Sequence, residues 1–226
     1  MKLKLEKHKD YILSEIDKGR SIKSLAEELN EYHQSVSNLI KKYRPDSKFT
    51  LNPGNLEYFR NINTDKKAYF VGFIAADGAL VKTKTSTSLT ITIHSKDRII
   101  LDSLKEDIGC DHEVKQLTKK DHVRFVISRK EHIKALNDLG IESNKSLTMP
   151  SIIHNIPKEF RKAFLRGYFD GDGSIFKTVP ASKPKGHYYI SIRGTEDFLK
   201  DYIKVFGVTS YSFNHSANIS GLSIRC

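Results

Sequence analysis

Phe70-Val71-Gly72-Phe73-Ile74-Ala75-Ala76-Asp77-Gly78 and Leu165-Arg166-Gly167-Tyr168-Phe169-Asp170-Gly171-Asp172-Gly173 say nearly the same thing at two places in one chain. Each is an apolar helical run with small residues four apart, Gly72 and Ala76 in the first, Gly167 and Gly171 in the second, and each closes on Asp-Gly. Small residues at that spacing let two helix backbones approach closely. The closing glycine is the residue a left-handed C-terminal cap wants. If the two runs pack on each other, Asp77 and Asp172 meet at the base of the contact. Carboxylates at helix C-terminal ends oppose the helix dipole, so a converging pair calls for a cation, naturally a divalent metal.

The runs stand 95 positions apart (172 minus 77) and are followed by the same pattern. Leu89, Ile91 and Ile93 alternate with Ser88, Thr90, Thr92 and His94, as a half-buried strand requires. Tyr188 to Arg193 reads the same way, and aligning Ile91 with Ile190 predicts four extra residues in the first hairpin of the second repeat, in the loop 180–186. Val123, Phe125 and Ile127 match Leu222 and Ile224, Ile127 pairing with Ile224 at an offset of 97 (224 minus 127). The first repeat continues with a helix, Glu131 to Leu139, carrying an Ile133, Leu136 and Leu139 stripe, and with Gly140 to Ser146. No counterpart of either follows in the second repeat, which is therefore expected to be truncated, with the Ile190, Ile192, Leu222 and Ile224 face partly bare.

This motif pair resembles the one that names the LAGLIDADG homing endonucleases, over roughly Asp65 to Cys226. The resemblance implies an α+β fold of two pseudo-symmetric αββαββα-type repeats, the second incomplete, forming a DNA-binding saddle. The boundaries it suggests are 67–160 and 161–226. It further implies a site-specific, divalent-metal-dependent double-strand DNA endonuclease, free-standing or encoded in an intron, and monomeric if the second repeat is whole; the truncation implies a chain less stable than an extended version and inactive or nearly so as a nuclease. Asp77 and Asp172 would hold the metal, Mg²⁺ or Mn²⁺, with the backbone carbonyls of Ala76 and Gly171. Lys145, 27 positions before Asp172 (172 minus 145), matches a basic residue of the family and would polarise the scissile phosphate or the attacking water; the bland alternative is a loop lysine. The earlier acidic position of the motif is Asp170 in the second run but Ala75 in the first.

Specificity would come from the polar strand faces laid along the major groove: Thr90, Thr92, His94, Arg124, Tyr189, Ser191, Arg193 and Arg225. Lys82, Lys84, Lys177, Lys183 and Lys185, in the hairpins, would meet phosphates. A formal net charge of +11 with Lys and Arg spread over the whole length favours a polyanionic partner, nucleic acid before membrane. Two cysteines, Cys110 and Cys226, are too few for a disulfide framework and lack metal-ligand spacing, which fits a reducing, cytoplasmic setting beside the nucleoid. No segment is long and apolar enough to span a membrane.

Residues 1–46 read as a separate unit of three short helices, joined by a linker over 47–66. Leu5, Tyr11, Ile12 and Ile16 form the expected apolar face of the first helix, Ile22 to Leu29 is the second with Ser21 as its cap, and Ser35 to Tyr43 the third. This resembles a helix-turn-helix, with Ala26 at the close crossing and Asn30 where the turn needs a left-handed residue. His33, Gln34, Ser35, Ser37, Asn38, Lys41 and Lys42 would face DNA. The competing reading is a packing module with a solvated basic helix. For the whole chain the rival is a DNA-binding transcriptional regulator on a degenerate core, although such regulators tend to lose the acids that both motifs keep here.

Overall fold

A computed structural model describes residues 5–18, 20, 22–44, 54–118, 120–143, 151–179, 186–216 and 219–225. The chain divides into two compact units, Met1–Thr50 and Leu51–Cys226.

The small unit is three helices, α1 (Lys9–Asp17), α2 (Ile22–Glu28) and α3 (His33–Tyr43). Leu5, Ile12, Leu25, Ala26, Val36, Leu39 and Ile40 form its core. Asn30 carries the positive φ, 51°, that the turn into α3 demands. The third helix begins at His33, before the expected Ser35, because extended Tyr32 offers its carbonyl to the Ser35 and Val36 amides. Tyr11 is a correction to the expected apolar face. It is exposed, and its hydroxyl donates to Glu28 (2.6 Å) and accepts from Arg20 (3.0 Å), stitching α1 to α2. Ser21, the expected cap, lies outside the described residues.

The large unit repeats one design. In the first half α4 (Asp65–Asp77) runs into β1 (Gly78–Lys82), β2 (Thr87–His94), α5 (Arg98–Ile108), β3 (Lys115–Gln116), β4 (His122–Ile127) and α6 (Lys130–Asp138). In the second, α7 (Arg161–Asp172) leads to β5 (Gly173–Thr178), β6 (His187–Gly194), α8 (Glu196–Phe206), β7 (Tyr211–Ser216) and β8 (Ile219–Arg225). The two antiparallel sheets have the same order, β1-β2-β4-β3 and β5-β6-β8-β7. α5 and α8 both end on a glycine in the left-handed conformation, Gly109 (φ 71°) and Gly207 (φ 66°). The α+β class and the doubled repeat are as the sequence predicts.

Three details differ. Gly78 and Gly173 are not left-handed caps: both are extended (φ −76° and −95°) and open the strands β1 and β5. They are glycines for space, since a Cβ on Gly78 would lie 2.6 Å from the Ile74 carbonyl oxygen and one on Gly173 2.2 Å from the Phe169 ring. The strand alignment also shifts by two. Gly78 pairs with Ile91 while Gly173 pairs with Ile192, so Ile91 corresponds to Ile192 and the hairpin insertion is six residues, the strand offset of 101 (192 minus 91) less 95. A slip of two leaves every side chain on its own face, so alternation alone cannot detect it. The third concerns the expected linker. Tyr58, Phe59 and Ile62 are buried in the large unit's core, and the Asn55 amide donates to the Ile108 carbonyl, so residues from 54 onward belong to the domain.

The back of the first sheet is well covered: Leu80, Leu89 and Ile127 are buried, with Ile133 and Leu136 of α6 in the same core. The back of the second sheet is covered at one end only. Phe198, Leu199 and Tyr202 of α8 share a core with Ile192 and Leu222, both fully buried, so of the face expected to be partly exposed these two are covered. Toward the hairpin, Ile190 and Ile224 are half-buried, and Ile175 and Tyr188 are 64% and 55% exposed.

Candidate functional site

The core of the large unit is the crossing of α4 and α7. A Cβ on Gly72 would sit 1.9 Å from the Phe164 carbonyl oxygen, and one on Gly167 1.9 Å from the Tyr69 carbonyl oxygen. Those mirrored contacts leave no room for any side chain, so the two backbones touch. The helices run together toward their C-terminal ends. There a Cβ on Gly171 would lie 2.4 Å from the Ala76 Cβ and 3.2 Å from the Asp77 Oδ2. Asp77 thus reaches across to α7 beside Asp172, and both carboxylates are exposed.

Aromatic residues on the two helices hold this end in place. The Tyr168 hydroxyl donates to the Arg193 carbonyl (2.9 Å). Burial, with the Asp172 charge and hydrogen bond added, pushes the Tyr168 phenol well above its ordinary value, so it stays protonated as a donor. Tyr69 of α4 donates to Asp170 of α7 (2.9 Å), and the Arg166 guanidinium lies over the Tyr69 ring at 4.9 Å. The pseudo-symmetric mates of Tyr69 and Asp170 are Phe164 and Ala75, a pair with neither hydroxyl nor carboxyl. The acid missing from the first motif is therefore missing together with its tyrosine partner. The sequence carried this signal, and reading each motif alone misses it because the partner lies on the other helix.

Strand register gathers the expected recognition residues. Thr90, Thr92 and His94 share the face of β2 opposite the buried Leu89, Ile91 and Ile93, and Arg124 pairs directly across from Thr92, donating to its hydroxyl at 3.3 Å. His94 lies 3.4 Å from Asp121 and faces His122 across the ladder. In the second sheet Tyr189, Ser191 and Arg193 share one face, and the backbone of Arg225 pairs opposite Tyr189. Phe176, which sequence reasoning did not select, stacks on Tyr189 (centroids 5.6 Å, planes 14° apart) and is 43% exposed on that face. Lys84 is exposed in the first hairpin. Lys82 and Lys177 stand at strand positions on the opposite face, in register with Thr87 and Tyr188, and the Lys177 ammonium lies 5.5 Å from the Tyr188 ring centroid. Lys145, Lys183 and Lys185 lie outside the described residues.

In the small unit, Gln34, Asn38 and Lys41 are exposed along α3 while Ser35 and Ser37 are half-buried. The Gln34 side chain donates to Asn38 (3.0 Å). Lys42 pairs with Glu6 (2.5 Å), and hydrogen bonds from Lys42 and Tyr43 hold the Glu6 carboxyl below its ordinary value. Arg44 forms a two-pronged pair with Asp17.

Residues 159–222 match the family model of the LAGLIDADG-like domain. The second repeat is thus similar in sequence to the LAGLIDADG-like domain. Over both repeats the likeness to solved structures is one of fold. The structure of the LAGLIDADG homing endonuclease I-LtrWI, bound to target DNA, aligns at a TM-score of 0.50 and 16% identity, covering 76% of this chain and 80% of that one. The meganuclease I-SmaMI, bound to an uncleaveable DNA, aligns at 0.51 and 14% identity, covering 70% and 78%. I-GzeII in complex with its DNA target aligns at 0.50 and 12%, covering 73% and 79%. No curated protein sequence matches the chain. Among the described residues no helix is long and apolar enough to cross a membrane.

Alanine at Gly72 or Gly167 gains helix propensity of about 1 kcal/mol but places a methyl inside a backbone atom. Each should destabilise the large unit by about 3 kcal/mol or more. Alanine at Gly109, where a Cβ meets nothing within 4 Å, should cost only the left-handed penalty of about 1–2 kcal/mol. Urea midpoints of the three variants test this order.

Proposed function

We propose that this protein is a site-specific double-strand DNA endonuclease that hydrolyses phosphodiester bonds with a divalent ion, Mg²⁺ or Mn²⁺, held between Asp77 and Asp172. The observation that carries the proposal is the pairing of two exposed carboxylates at the C-terminal ends of helices that touch through Gly72 and Gly167. The donors available there, two carboxylates and the main-chain carbonyls of Ala76 and Gly171, are all hard oxygens, the set Mg²⁺ accepts. When bound, the ion supplies Lewis-acid assistance to attack and departure at phosphorus. The chain's own groups do the rest. Lys145 polarises the scissile phosphate, and Thr90, Thr92, His94, Arg124, Tyr189, Ser191, Arg193 and Arg225 read base edges in the major groove. Lys84, Lys183 and Lys185 bind the backbone, and the net charge of +11 gathers the duplex. The DNA-bound state of the structural neighbours supports this partner. Activity inside the cell on a long site, in the manner of intron homing, is part of the same proposal.

The rival, a DNA-binding regulator on this core, predicts that the acids are dispensable. Asp77→Asn or Asp172→Asn should lower Mg²⁺-dependent cleavage of a selected duplex at least about a hundredfold, with binding changed less than about threefold because groove contacts use other residues. Gel cleavage and fluorescence-anisotropy binding on the same duplex measure the two quantities. Unchanged cleavage in both variants would favour the regulator.

The small unit is proposed as a second, helix-turn-helix DNA contact presented by α3, through Gln34, Ser35, Ser37, Asn38 and Lys41. Lys42 and Arg44 already have acidic partners in Glu6 and Asp17, so Lys41 should contribute the larger share of phosphate binding. Lys41→Ala in the full chain should reduce the salt slope of binding by about one unit and Lys42→Ala by less, read from titrations at two salt concentrations.

A further inference from the structure

The two repeats differ at the N-terminal ends of their motif helices, far from the paired aspartates. In the first repeat this corner is filled and neutralised. Lys66 pairs with Asp107 (2.9 Å), the Tyr58 hydroxyl donates to the same carboxylate, and the Tyr58–Phe59 aromatic pair fills the space beside it. In the second repeat Arg161 stands where Lys66 does, at the same distance from the terminal aspartate. Counting α8 against α5 from their glycine caps, Val205 replaces Asp107 and Lys204 replaces Glu106. The aromatic pair ahead of the helix gives way to Ile152 and Ile153.

The result is a cleft of about 590 Å³. Its apolar lining is Ile153 and Val205, and its charged groups are Lys158, Arg161, Lys162 and Lys204 against two carboxylates, Glu159 and Asp201. Asp201 is already engaged. It is 9% exposed, His154 Nε2 lies 2.8 Å from Oδ2, and Lys204 donates to Oδ1 at 3.2 Å. Burial raises the Asp201 pKa, but hydrogen bonds, those from Lys204 and His154 among them, outweigh it and keep the carboxyl ionised. Arg161 lines the cleft and is held there by donating from Nε to the Ile156 carbonyl (3.0 Å) and from Nη2 to the His154 carbonyl (3.4 Å). Lys158 and Lys162 are exposed and have no acidic partner among the described residues.

We propose that this cleft is a binding site for a phosphomonoester dianion of nucleotide size, separate from the groove surface. Two positive charges are left over once the carboxylates are counted, which matches a dianion. The volume lies in the range of small-molecule sites, and the half-buried Val205, backed by the buried Ile153, offers apolar surface for the rest of such a ligand. The cleft and the metal-holding carboxylates sit at opposite ends of α7, about 17 Å apart along its axis, so one nucleotide cannot touch both.

Isothermal titration of the full chain with AMP, inorganic phosphate and adenosine at about 150 mM salt tests the assignment. AMP should bind saturably and adenosine should not; phosphate that binds as well as AMP assigns the cleft to the anion alone. Lys158→Ala with Lys162→Ala should weaken binding at least about tenfold. Val205→Asp, which restores the acid of the first repeat, should weaken it comparably while leaving every lysine in place. The proposal is overturned if neither AMP nor phosphate saturates, or if Lys82→Ala with Lys84→Ala, in the other half of the domain, removes binding while the double variant in the cleft does not.

Discussion

Two glycines, Gly72 and Gly167, fix everything else in the large unit. Because each presses against a main-chain carbonyl of the opposite helix, α4 and α7 are held at backbone contact with one geometry available to them. Side-chain packing alone would allow sliding and rotation, whereas interlocked backbones do not. Each helix passes directly into a strand, β1 after Asp77 and β5 after Asp172. The crossing therefore sets the placement of both sheets as well as the approach of the two carboxylates. Close packing at Gly171 and Ala76 carries the contact down to the acids themselves.

Around that symmetric centre the two halves have diverged in opposite ways. The first repeat is covered and neutralised: α6 packs on its sheet, and Lys66 is paired with Asp107. The second repeat has an open hairpin-side sheet face and an uncompensated cationic cleft at the head of α7. Across the axis the Tyr69–Asp170 hydrogen bond has Phe164 and Ala75 as its counterpart, so the halves exchange a polar pair for an apolar one without disturbing the helix contact. Pseudo-symmetry makes each half a control for the other.

The doubled motif, the α+β class and the faces of β2, β4 and β6 were legible because period-two alternation and small-residue spacing are local signals. The strand offset was not, since a shift of two preserves faces, and only the pairing of Gly78 with Ile91 and of Gly173 with Ile192 fixes it. Tyr58, Phe59 and Ile62 read as linker because they sit among polar residues with no helical or strand period, and their burial depends on α5 and α6 closing over them. For the site, Asp77, Asp172, Thr92 and Arg124 could be picked by type and position. Tyr69, Tyr168 and Phe176 could not, since each acts on a partner from another element. Lys82 and Lys177, read as hairpin residues, are in register within their strands, Lys82 as the last residue of β1 and Lys177 as the last but one of β5.

The central claim is that Asp77 and Asp172 hold one divalent site at the base of the glycine crossing. Anomalous diffraction from crystals of the full chain grown with Mn²⁺ tests it most directly. The account predicts a peak at the α4–α7 base within about 2.0–2.6 Å of a carboxylate oxygen of each aspartate. A well-occupied Mn²⁺ elsewhere with none at that base, or two aspartates too far apart to share an ion, would contradict it.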